Sequence, residues 1–488
     1  MVFTSTCYCI RNRLVAKIKQ IRYGSKNRVS VPCVLLAFLA ARALADGQLV
    51  TEVEEEKAAL EDVASPPPDF IRAQAYIQNP YIGLPSAGGT QQKSELFSDG
   101  TWNAYAAASY MNQQGSNNYG YGVNLFGETG QLAGFSVGGL MTIMNPLFSD
   151  SLNPQDPKGQ NQTLPIAYQV TPQELFVEYQ YANRVQLDAG YIGIANSPWL
   201  TYYQNNALNM VTYQGAMLNI NPGGGWLFTG LALNGAQLLG ENGFSQQTMY
   251  NSSFDSGSEF TNVGAHGSPG TLALGTSWNN AKNDVNLRIW AYQFYDYASM
   301  LYADTTVKVP LNHDLGLTFA AQGAVQGNGW GENQFVQNNY GTVNSNMLGA
   351  QLSLNYKIFG LQLGYNNLWG PQDAVMGGGM IAPYTYQIAS DPLYTTGWML
   401  GMVEKSAGQA YKIAPSLSLL DGNLQIIPSY QYYATTAAPI SSEYDLQLSY
   451  TIPQVRGLTL FVGYGYSTRA IDIDDTSQQG QIMVSYLY

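Results

Sequence analysis

Few residues in this chain could carry out catalysis or bind a metal. Its 488 residues include two histidines, His266 and His313, and three cysteines that all lie within the first 33 positions. A hydrolytic site would pair His266 with a hydroxyl such as Ser268, but no third partner is evident in the sequence. The lack of further cysteines excludes a zinc-cysteine site or a disulfide framework from the rest of the chain. We therefore predict no enzymatic activity, no metal site and no cofactor.

The charged residues of the chain stand instead in segments of alternating polarity. In 174–180, Glu174 and Glu178 share a face opposite Leu175 and Val177. Charged side chains along a narrow aqueous passage bias which ions enter it. An alternative is that they are solvated or paired with one another and select nothing. The alternation predicts these pore-lining candidates: Glu174, Glu178, Asp188, Arg288, Lys357, Lys412 and Asp445.

The composition is poor in charge and rich in tyrosine and glycine. Charged residues make up 11% of the chain, against about 25% in ordinary soluble domains. After position 45 there are 33 acidic and 13 basic residues, a net charge of −20. Because phosphate binding needs the opposite sign, nucleic acid is excluded as a partner.

The first 99 residues differ from the rest and predict three segments. Residues 1–45 carry eight basic and no acidic residues, then the apolar run "VSVPCVLLAFLAA" and "ALA". This pattern predicts a cleaved signal peptide; a membrane anchor is the alternative, but 13 apolar residues fall short of the ~20 that span a bilayer. We predict that residues 46–69 form an acidic periplasmic segment with a proline linker. Residues 70–99 would then lead into a domain at 100–488.

The domain at 100–488 shows period-two alternation, which indicates β-strands. In "SEYDLQLSYTI" (442–452) the apolar and aromatic residues take every second position. The last ten residues, "QGQIMVSYLY", alternate to the end of the chain. The candidate strands are 100–112, 118–128, 133–145, 172–182, 184–194, 208–220, 226–236, 269–280, 285–295, 299–309, 315–325, 346–357, 361–369, 410–419, 424–434, 443–452, 458–467 and 479–488.

The connections between these strands indicate the architecture. Gaps after even-numbered strands are short, such as 183–184 and 221–225, whereas many gaps after odd-numbered strands are long, such as 237–268 and 370–409. Short turns on one rim and long loops on the other are typical of outer-membrane barrels. In lipid every backbone N–H and C=O must pair within the protein, so the sheet has to close. We predict an all-β, antiparallel transmembrane barrel of about 18 strands (16–20), with short periplasmic turns and long extracellular loops.

Aromatic residues mark two further features of the predicted barrel. The loop "SPWLTYYQNNALN" (197–209) is the expected inward-folding constriction, with these candidate residues: Trp199, Tyr202, Tyr203, Gln204, Asn205 and Asn206. Its alternative is an ordinary surface loop; the loop 370–409 is long enough to be a second plug. At the chain end, Tyr486 and Tyr488 face the periplasmic interface and are similar to the signal that the outer-membrane assembly machinery reads.

Several stretches resemble the OprD family of outer-membrane porins. These are the ending "DIDDTSQQGQIMVSYLY" (472–488), the segment 285–311 and the loop region 197–215. The resemblance is dispersed over 95–488. It implies an 18-stranded barrel that admits small solutes, often basic amino acids or carboxylates, past a constriction of the third and seventh loops. It also implies a ladder of lumenal Arg and Lys. The chain departs from that pattern at Gln214, Phe461 and Gly463, which thins the basic ladder.

The sequence thus predicts a porin in the outer membrane of a Gram-negative bacterium. It would admit small hydrophilic solutes by passive or substrate-selective diffusion. With Glu178 and Asp188 lumenal, a weak cation preference is expected. Its other predicted partners are outer-membrane lipid, lipopolysaccharide and the barrel-assembly machinery, and a homo-oligomer stays open. The alternatives are a structural, adhesive or ligand-binding barrel with an occluded pore, for example for a metal chelate, and a membrane-embedded hydrolase.

Overall fold

The computed structural model describes residues 100–488, apart from 114–115, 148–163, 165–167, 183, 201–207, 209, 239–240, 251–266, 281, 331–333, 386–391, 403–405, 437–439 and 469–476. The predicted segments 1–45, 46–69 and 70–99 lie outside the described residues. Eighteen strands follow one another: β1 Thr101–Gln113, β2 Ser116–Glu128, β3 Phe135–Pro146, β4 Gln169–Tyr181, β5 Val185–Ile192, β6 Thr212–Gly223, β7 Trp226–Gln237, β8 Thr271–Asn279, β9 Val285–Phe294, β10 Ala298–Pro310, β11 Leu315–Gly327, β12 Asn344–Tyr356, β13 Phe359–Trp369, β14 Gly408–Leu419, β15 Leu424–Thr435, β16 Ser441–Thr451, β17 Leu458–Ser467 and β18 Ser477–Leu487.

All neighbouring strands pair antiparallel, and the last pairs with the first. Tyr105 lies opposite Leu487, and this register continues to Gln113 opposite Gln479. The amide of Tyr488 donates to the carbonyl of Ala104 at 2.8 Å, so the seam extends to the last residue of the chain. Closure removes every exposed sheet edge. The predicted antiparallel barrel of 18 strands is confirmed.

The strand boundaries agree closely with the alternation, with one informative exception. β6 begins at Thr212 rather than at 208, because Leu208 and Met210 belong to an inward-folded loop and are buried there. Buried apolar residues in a loop imitate the start of a strand when only the sequence is read.

The helical content of the described residues is small. One helix, α1, spans Phe335–Tyr340, and one 3₁₀ turn spans Val375–Gly377.

No helix in the described part of the chain combines the length and apolar character needed to cross a membrane.

The outer face of the barrel is apolar. Large hydrophobic side chains point away from the barrel on alternate positions of the strands, and more than a third of each is exposed. Exposing apolar side chains is unfavourable in water and favourable in hydrocarbon. Such a face is therefore typical of a transmembrane barrel. Examples around the wall are Leu125, Leu175, Val177, Leu187, Leu274, Ile289, Leu301, Val325, Leu348, Ile413, Leu446 and Val484.

Aromatic residues border this face at both rims. At the long-loop rim, outward tyrosines meet across strands: the rings of Tyr430 and Tyr444 lie 4.9 Å apart, and those of Tyr365 and Tyr411 lie 5.1 Å apart. Aromatic rings favour the boundary between lipid and water, because one end is apolar and the other polar. At the short-turn rim the outward aromatics are Trp102, Phe135, Tyr181, Trp226, Phe228, Tyr356, Phe359 and Tyr488.

The inner face carries polar side chains together with aromatic rings, some of which lie flat on glycines. Trp290 of β9 lies directly opposite Gly275 of β8. A Cβ built on Gly275 would come within 2.3 Å of the indole ring. Phe176 and Gly138 form a similar pair on β4 and β3. A glycine opposite an aromatic residue lets the ring cover the backbone, which is a known way to stabilise a glycine in a sheet.

We expect Gly275→Ala to destabilise the barrel by about 1–3 kcal/mol, because the new methyl group overlaps a confined ring. Gly316→Ala is the matched control, since a Cβ built there meets nothing within 4 Å. Equilibrium unfolding of the detergent-folded barrel in guanidinium, followed by tryptophan fluorescence, compares the two. Equal unfolding midpoints for both variants would contradict the role of Gly275 as the seat of Trp290.

Candidate constriction inside the barrel

The described parts of three loops fold inward from the long-loop rim and pack inside the barrel. They are loop 3 (193–211, between β5 and β6), loop 4 (238–270, between β7 and β8) and loop 7 (370–407, between β13 and β14). Trp199 of loop 3 and Ile381 and Met402 of loop 7 are fully buried. A connection between strands normally runs over the surface, so burial of apolar loop residues indicates that these loops pack against the wall.

The three loops are hydrogen-bonded to one another. The hydroxyl of Thr385 in loop 7 donates to the carbonyl of Trp199 in loop 3 at 3.1 Å. In loop 4, the Tyr250 hydroxyl accepts the amide of Ala382 at 2.7 Å. The amide of Met249 donates to the carbonyl of Pro383 at 2.8 Å. Loops 3, 4 and 7 therefore form one constriction rather than three independent flaps.

The first half of loop 7 is also fixed to the barrel wall. The side-chain amide of Gln326 on β11 makes two hydrogen bonds to Ile381: its nitrogen donates to the carbonyl at 2.7 Å, and its oxygen accepts the amide at 2.8 Å. The ring of Tyr384 packs edge-on against Tyr213 of β6. Burial raises the pKa of the Tyr384 hydroxyl, so this group stays neutral at ordinary pH.

The second half of loop 7 is held by two carboxylates of β16. Glu443 accepts the backbone amides of Met399 at 2.5 Å and Leu400 at 2.7 Å. Asp445 accepts the amide of Trp398 at 3.2 Å. Backbone N–H groups buried away from water need such acceptors. The two acids thus satisfy a stretch of loop backbone that has no strand to pair with.

Two further wall residues complete this contact, which we call the loop 7 clamp (Lys412, Tyr433, Glu443 and Asp445). The hydroxyl of Tyr433 donates to the carbonyl of Leu400 at 2.8 Å. The ammonium group of Lys412 donates to the carbonyl of Thr396 at 2.6 Å. The clamp joins β14, β15 and β16 to one loop segment, so loop 7 is positioned by the wall.

Trp398 of loop 7 fills the space beside Phe461 and Gly463, the positions at which the chain departs from the basic ladder of the family. Its ring packs edge-on against Phe461, with 6.3 Å between ring centres. A Cβ built on Gly463 would lie 2.9 Å from the indole. At both positions the family resemblance implies lumenal arginine. A loop aromatic occupies this part of the lumen instead.

The short-turn half of the inner wall carries an acidic row on β4 and β5. Glu178 and Asp188 lie directly opposite each other, and both are buried. Gln186 donates to Glu178 at 2.7 Å and to Asp188 at 3.0 Å. Two carboxylates placed opposite each other on one face of a sheet repel. The side-chain amide of Gln186, which donates to both, reduces this repulsion. Glu128 lies nearby in the sheet and accepts a hydrogen bond from Ser136 at 2.7 Å.

Arg288 and Asp304 form an ion pair on the inner faces of β9 and β10. They are direct cross-strand partners. The guanidinium donates through Nε and Nη2, with 2.6 Å between Nη2 and Asp304 Oδ2. Both side chains are almost fully buried, with 10% and 2% exposure.

An aromatic stack continues upward from this pair on β9. Trp290, Tyr292 and Phe294 occupy successive inward positions, with ring centres 5.6 and 5.4 Å apart. The Tyr292 hydroxyl is hydrogen-bonded to Ser197 of loop 3 at 3.0 Å. Trp199 packs edge-on against Tyr302 at 6.0 Å. These contacts place loop 3 against β9 and β10.

The structure places several sequence-predicted residues in different settings. Glu178, Asp188, Arg288 and Asp445 face the lumen and are buried, and Lys412 is half-buried in the loop 7 clamp. Of the constriction residues, Trp199 lies inside, whereas these five fall outside the described residues: Tyr202, Tyr203, Gln204, Asn205 and Asn206.

Lys357 departs from the predicted lumenal row. It lies in the exposed turn between β12 and β13, with left-handed backbone, and its Nζ is 3.5 Å from Asp314. The turn interrupts the alternation on which the prediction depends. Glu174 keeps the predicted inward parity, because it lies opposite the buried Leu140; the β-bulge in the pairing of β3 with β4 falls on its N-terminal side.

Three lumenal acids were missed from the sequence. Glu443 precedes Asp445 by two positions, so the alternation that selected Asp445 could have selected it as well. Asp304 lies on an inward position of β10. Its neighbours in the strand do not alternate cleanly between polar and apolar residues, so the sequence does not indicate its direction. Glu128 is the last residue of β2, where alternation ends.

The sequence-level candidates for hydrolysis do not assemble among the described residues. His313 lies in the exposed turn between β10 and β11, and its Nδ1 is 3.0 Å from Asp314. The Ser268 hydroxyl donates to the carbonyls of Gly270 and Tyr295, both at 2.9 Å. His266 falls outside the described residues. No group of three His, Cys, Asp or Glu side chains arranged to hold a metal occurs within the described ranges.

The fold is similar to that of solved proteins from Pseudomonas aeruginosa. OpdK, solved with vanillate, is 14% identical; the match covers 81% of this chain and 100% of OpdK, with a TM-score of 0.64. OccK9 (OpdG) is 15% identical, with 81% and 99% coverage and a TM-score of 0.67. OccK2 (OpdF), solved with glucuronate, is 13% identical, with 81% and 99% coverage and a TM-score of 0.63. OpdK is described as an outer membrane protein. No protein-family model and no curated protein sequence matches the chain.

We expect Glu443→Gln to loosen loop 7, because each side-chain oxygen of Glu443 accepts one backbone N–H and glutamine replaces one of these oxygens with an NH₂ group. The loss of one hydrogen bond, about 0.5–1.5 kcal/mol, corresponds to about two- to tenfold faster local opening. Amide hydrogen exchange of the peptide around Trp398–Leu400, measured by mass spectrometry, reports it. Asp373→Asn, an exposed carboxylate of the same loop, is the control. Unchanged exchange in Glu443→Gln would show that the clamp does not hold the loop.

Proposed function

We propose that the protein is a porin of the OprD type, which lets small hydrophilic solutes cross the outer membrane of a Gram-negative bacterium. The closed 18-stranded barrel with an apolar, aromatic-bordered outer face is the observation that carries this proposal. A barrel of this size is wide enough to hold an aqueous passage. The shared fold with an outer membrane protein supports the same location.

The sidedness follows from the two rims. In outer-membrane barrels the short turns face the periplasm and the long loops face outward. Loops 3, 4 and 7 then constrict the passage from the extracellular side. Tyr486 of β18 and Tyr488, just after this strand, point outward at the periplasmic rim, with 39% and 79% exposure. We take them as the residues that the barrel-assembly machinery reads, with outer-membrane lipid and lipopolysaccharide around the finished barrel.

The inner wall supports a weak preference for cations. Among the described residues, the buried charged side chains on this wall are six acids and one base: Glu128, Glu178, Asp188, Asp304, Glu443 and Asp445 against Arg288. Glu443 and Asp445 are bound to amides of loop 7, and Arg288 and Asp304 cancel each other. Glu128, Glu178 and Asp188 add three acidic side chains at the periplasmic half of this wall. A negative field in a narrow aqueous passage favours cations.

The same charge distribution disfavours carboxylate solutes. OpdK and OccK2 were solved with vanillate and glucuronate, which are both carboxylates. Here the one buried base among the described residues is already paired, and Trp398 lies where the basic ladder is thinned. Aromatic and amide groups around the constriction suit neutral, sugar-like or cationic solutes better. We infer passage rather than catalysis as the role of this barrel.

Single-channel recording in planar bilayers tests the proposal. We expect discrete conductance steps from the purified barrel, and swelling of liposomes that contain it in a neutral monosaccharide. A barrel that inserts but conducts nothing and admits no sugar would contradict it and would favour a structural, adhesive or ligand-binding role.

The acidic row makes a second prediction. Glu178→Gln and Asp188→Asn together should lower the ratio of cation to anion permeability about fourfold, about twofold for each charge removed, since a charge at about 10 Å in water contributes about 0.4 kcal/mol. Reversal potentials in a potassium chloride gradient measure that ratio. Asp421→Asn changes an exposed turn residue at the same rim and should leave it unchanged. Selectivity that stays equal in all three proteins would remove these acids from the selectivity filter.

A further inference from the structure

Arg288 and Asp304 occupy adjacent positions that the strand register fixes. They stand directly opposite on adjacent strands, and the same register continues from Ser299 opposite Gln293 to Val307 opposite Val285. Moving these two positions apart would require one strand to slip along the other. A slip by one residue would turn every side chain of the strand to the other face of the barrel. The pair is therefore part of the wall and not a transient surface contact.

Arg288 and Asp304 form an ion pair with more than one hydrogen bond. Arg288 Nε lies 3.1 and 3.0 Å from the two oxygens of Asp304, and Nη2 lies 2.6 Å from Oδ2. This two-point contact fixes the plane of the guanidinium against the carboxylate. The next strand extends the polar belt: Gln322 of β11 lies opposite Asp304 and accepts a hydrogen bond from the Tyr302 hydroxyl.

The pair has a consequence for the passing ions. A guanidinium on the inner wall would attract anions, above all carboxylates, which it binds through two parallel hydrogen bonds. Asp304 already supplies that carboxylate. Seen from the passage, the most buried base among the described residues contributes almost no net charge.

We propose that Asp304 is a specificity-determining residue that masks Arg288 and thereby keeps the channel from preferring anions. The proposal rests on the channel function proposed above. It differs from a purely structural role, because a pair that only stabilised the wall could be replaced by a neutral pair or unbalanced without any change in ion selectivity.

Three variants separate these roles: Asp304→Asn, Arg288→Gln and the double variant. Unmasking Arg288 in Asp304→Asn should lower the ratio of potassium to chloride permeability about twofold, which corresponds to about 0.4 kcal/mol. Arg288→Gln should raise the ratio by a similar factor. The double variant removes both charges and should return to the wild-type ratio. Reversal potentials across bilayers with reconstituted protein give each value.

Asp314→Asn is the matched control. It also removes a carboxylate that faces a base, because Lys357 Nζ lies 3.5 Å from Asp314, but that pair is exposed in the turns at the short-turn rim. Its selectivity should equal the wild type. Detergent-resistant migration on gels shows whether each variant is folded. Removing one partner of a buried pair leaves an uncompensated charge and can destabilise the barrel, and the double variant avoids that cost.

The outcomes distinguish this inference from the channel function itself. Opposite shifts in the two single variants, with recovery in the double variant, support the masking role. Conducting, folded single variants with wild-type selectivity would overturn it while leaving the channel function intact. Should Asp304→Asn alone fail to fold, an unchanged ratio in Arg288→Gln would overturn it equally. A wild-type protein without conductance would instead refute the channel function.

Discussion

The need to pair every backbone amide and carbonyl shapes this molecule. A strand in hydrocarbon has no water to bond with, so each of the eighteen strands must have a neighbour on both sides. The pairing of β1 with β18 meets that need at the one place where the sheet would otherwise have edges. Once the ring is closed, side chains can only point outward to lipid or inward to the lumen.

This division leaves the inner wall free to hold loops. Strand backbones are already paired, so the inward loops obtain their hydrogen bonds from side chains: Gln326 for the first half of loop 7, and Glu443 and Asp445 for the second. Loops 3 and 4 join the same assembly through Trp199 and Tyr250. The constriction is thus an extension of the wall, and its shape depends on which wall residues carry acceptors.

The electrostatics of the lumen follow from the same arrangement. Acids that bind loop amides, and an acid that pairs with Arg288, contribute little to the field that a solute meets. Glu128, Glu178 and Asp188 accept hydrogen bonds from neutral side chains at the periplasmic half, where we propose that they bias the field towards cations. A tally of charges in the sequence would assign equal weight to all of them, although their surroundings differ.

Much of the fold was predictable from the sequence, because period-two alternation and loop length depend on neighbours in the chain. The strands near 443–452 and 479–488 could be located in this way, and so could the inward faces of Glu178 and Asp445. The tertiary structure alone decided the partners. Asp304 pairs with Arg288 because strand register sets them opposite, and Glu443 holds residues that lie 44 and 43 positions away in the chain. Alternation determines which way a side chain points, but only the closed and looped chain determines what it meets there.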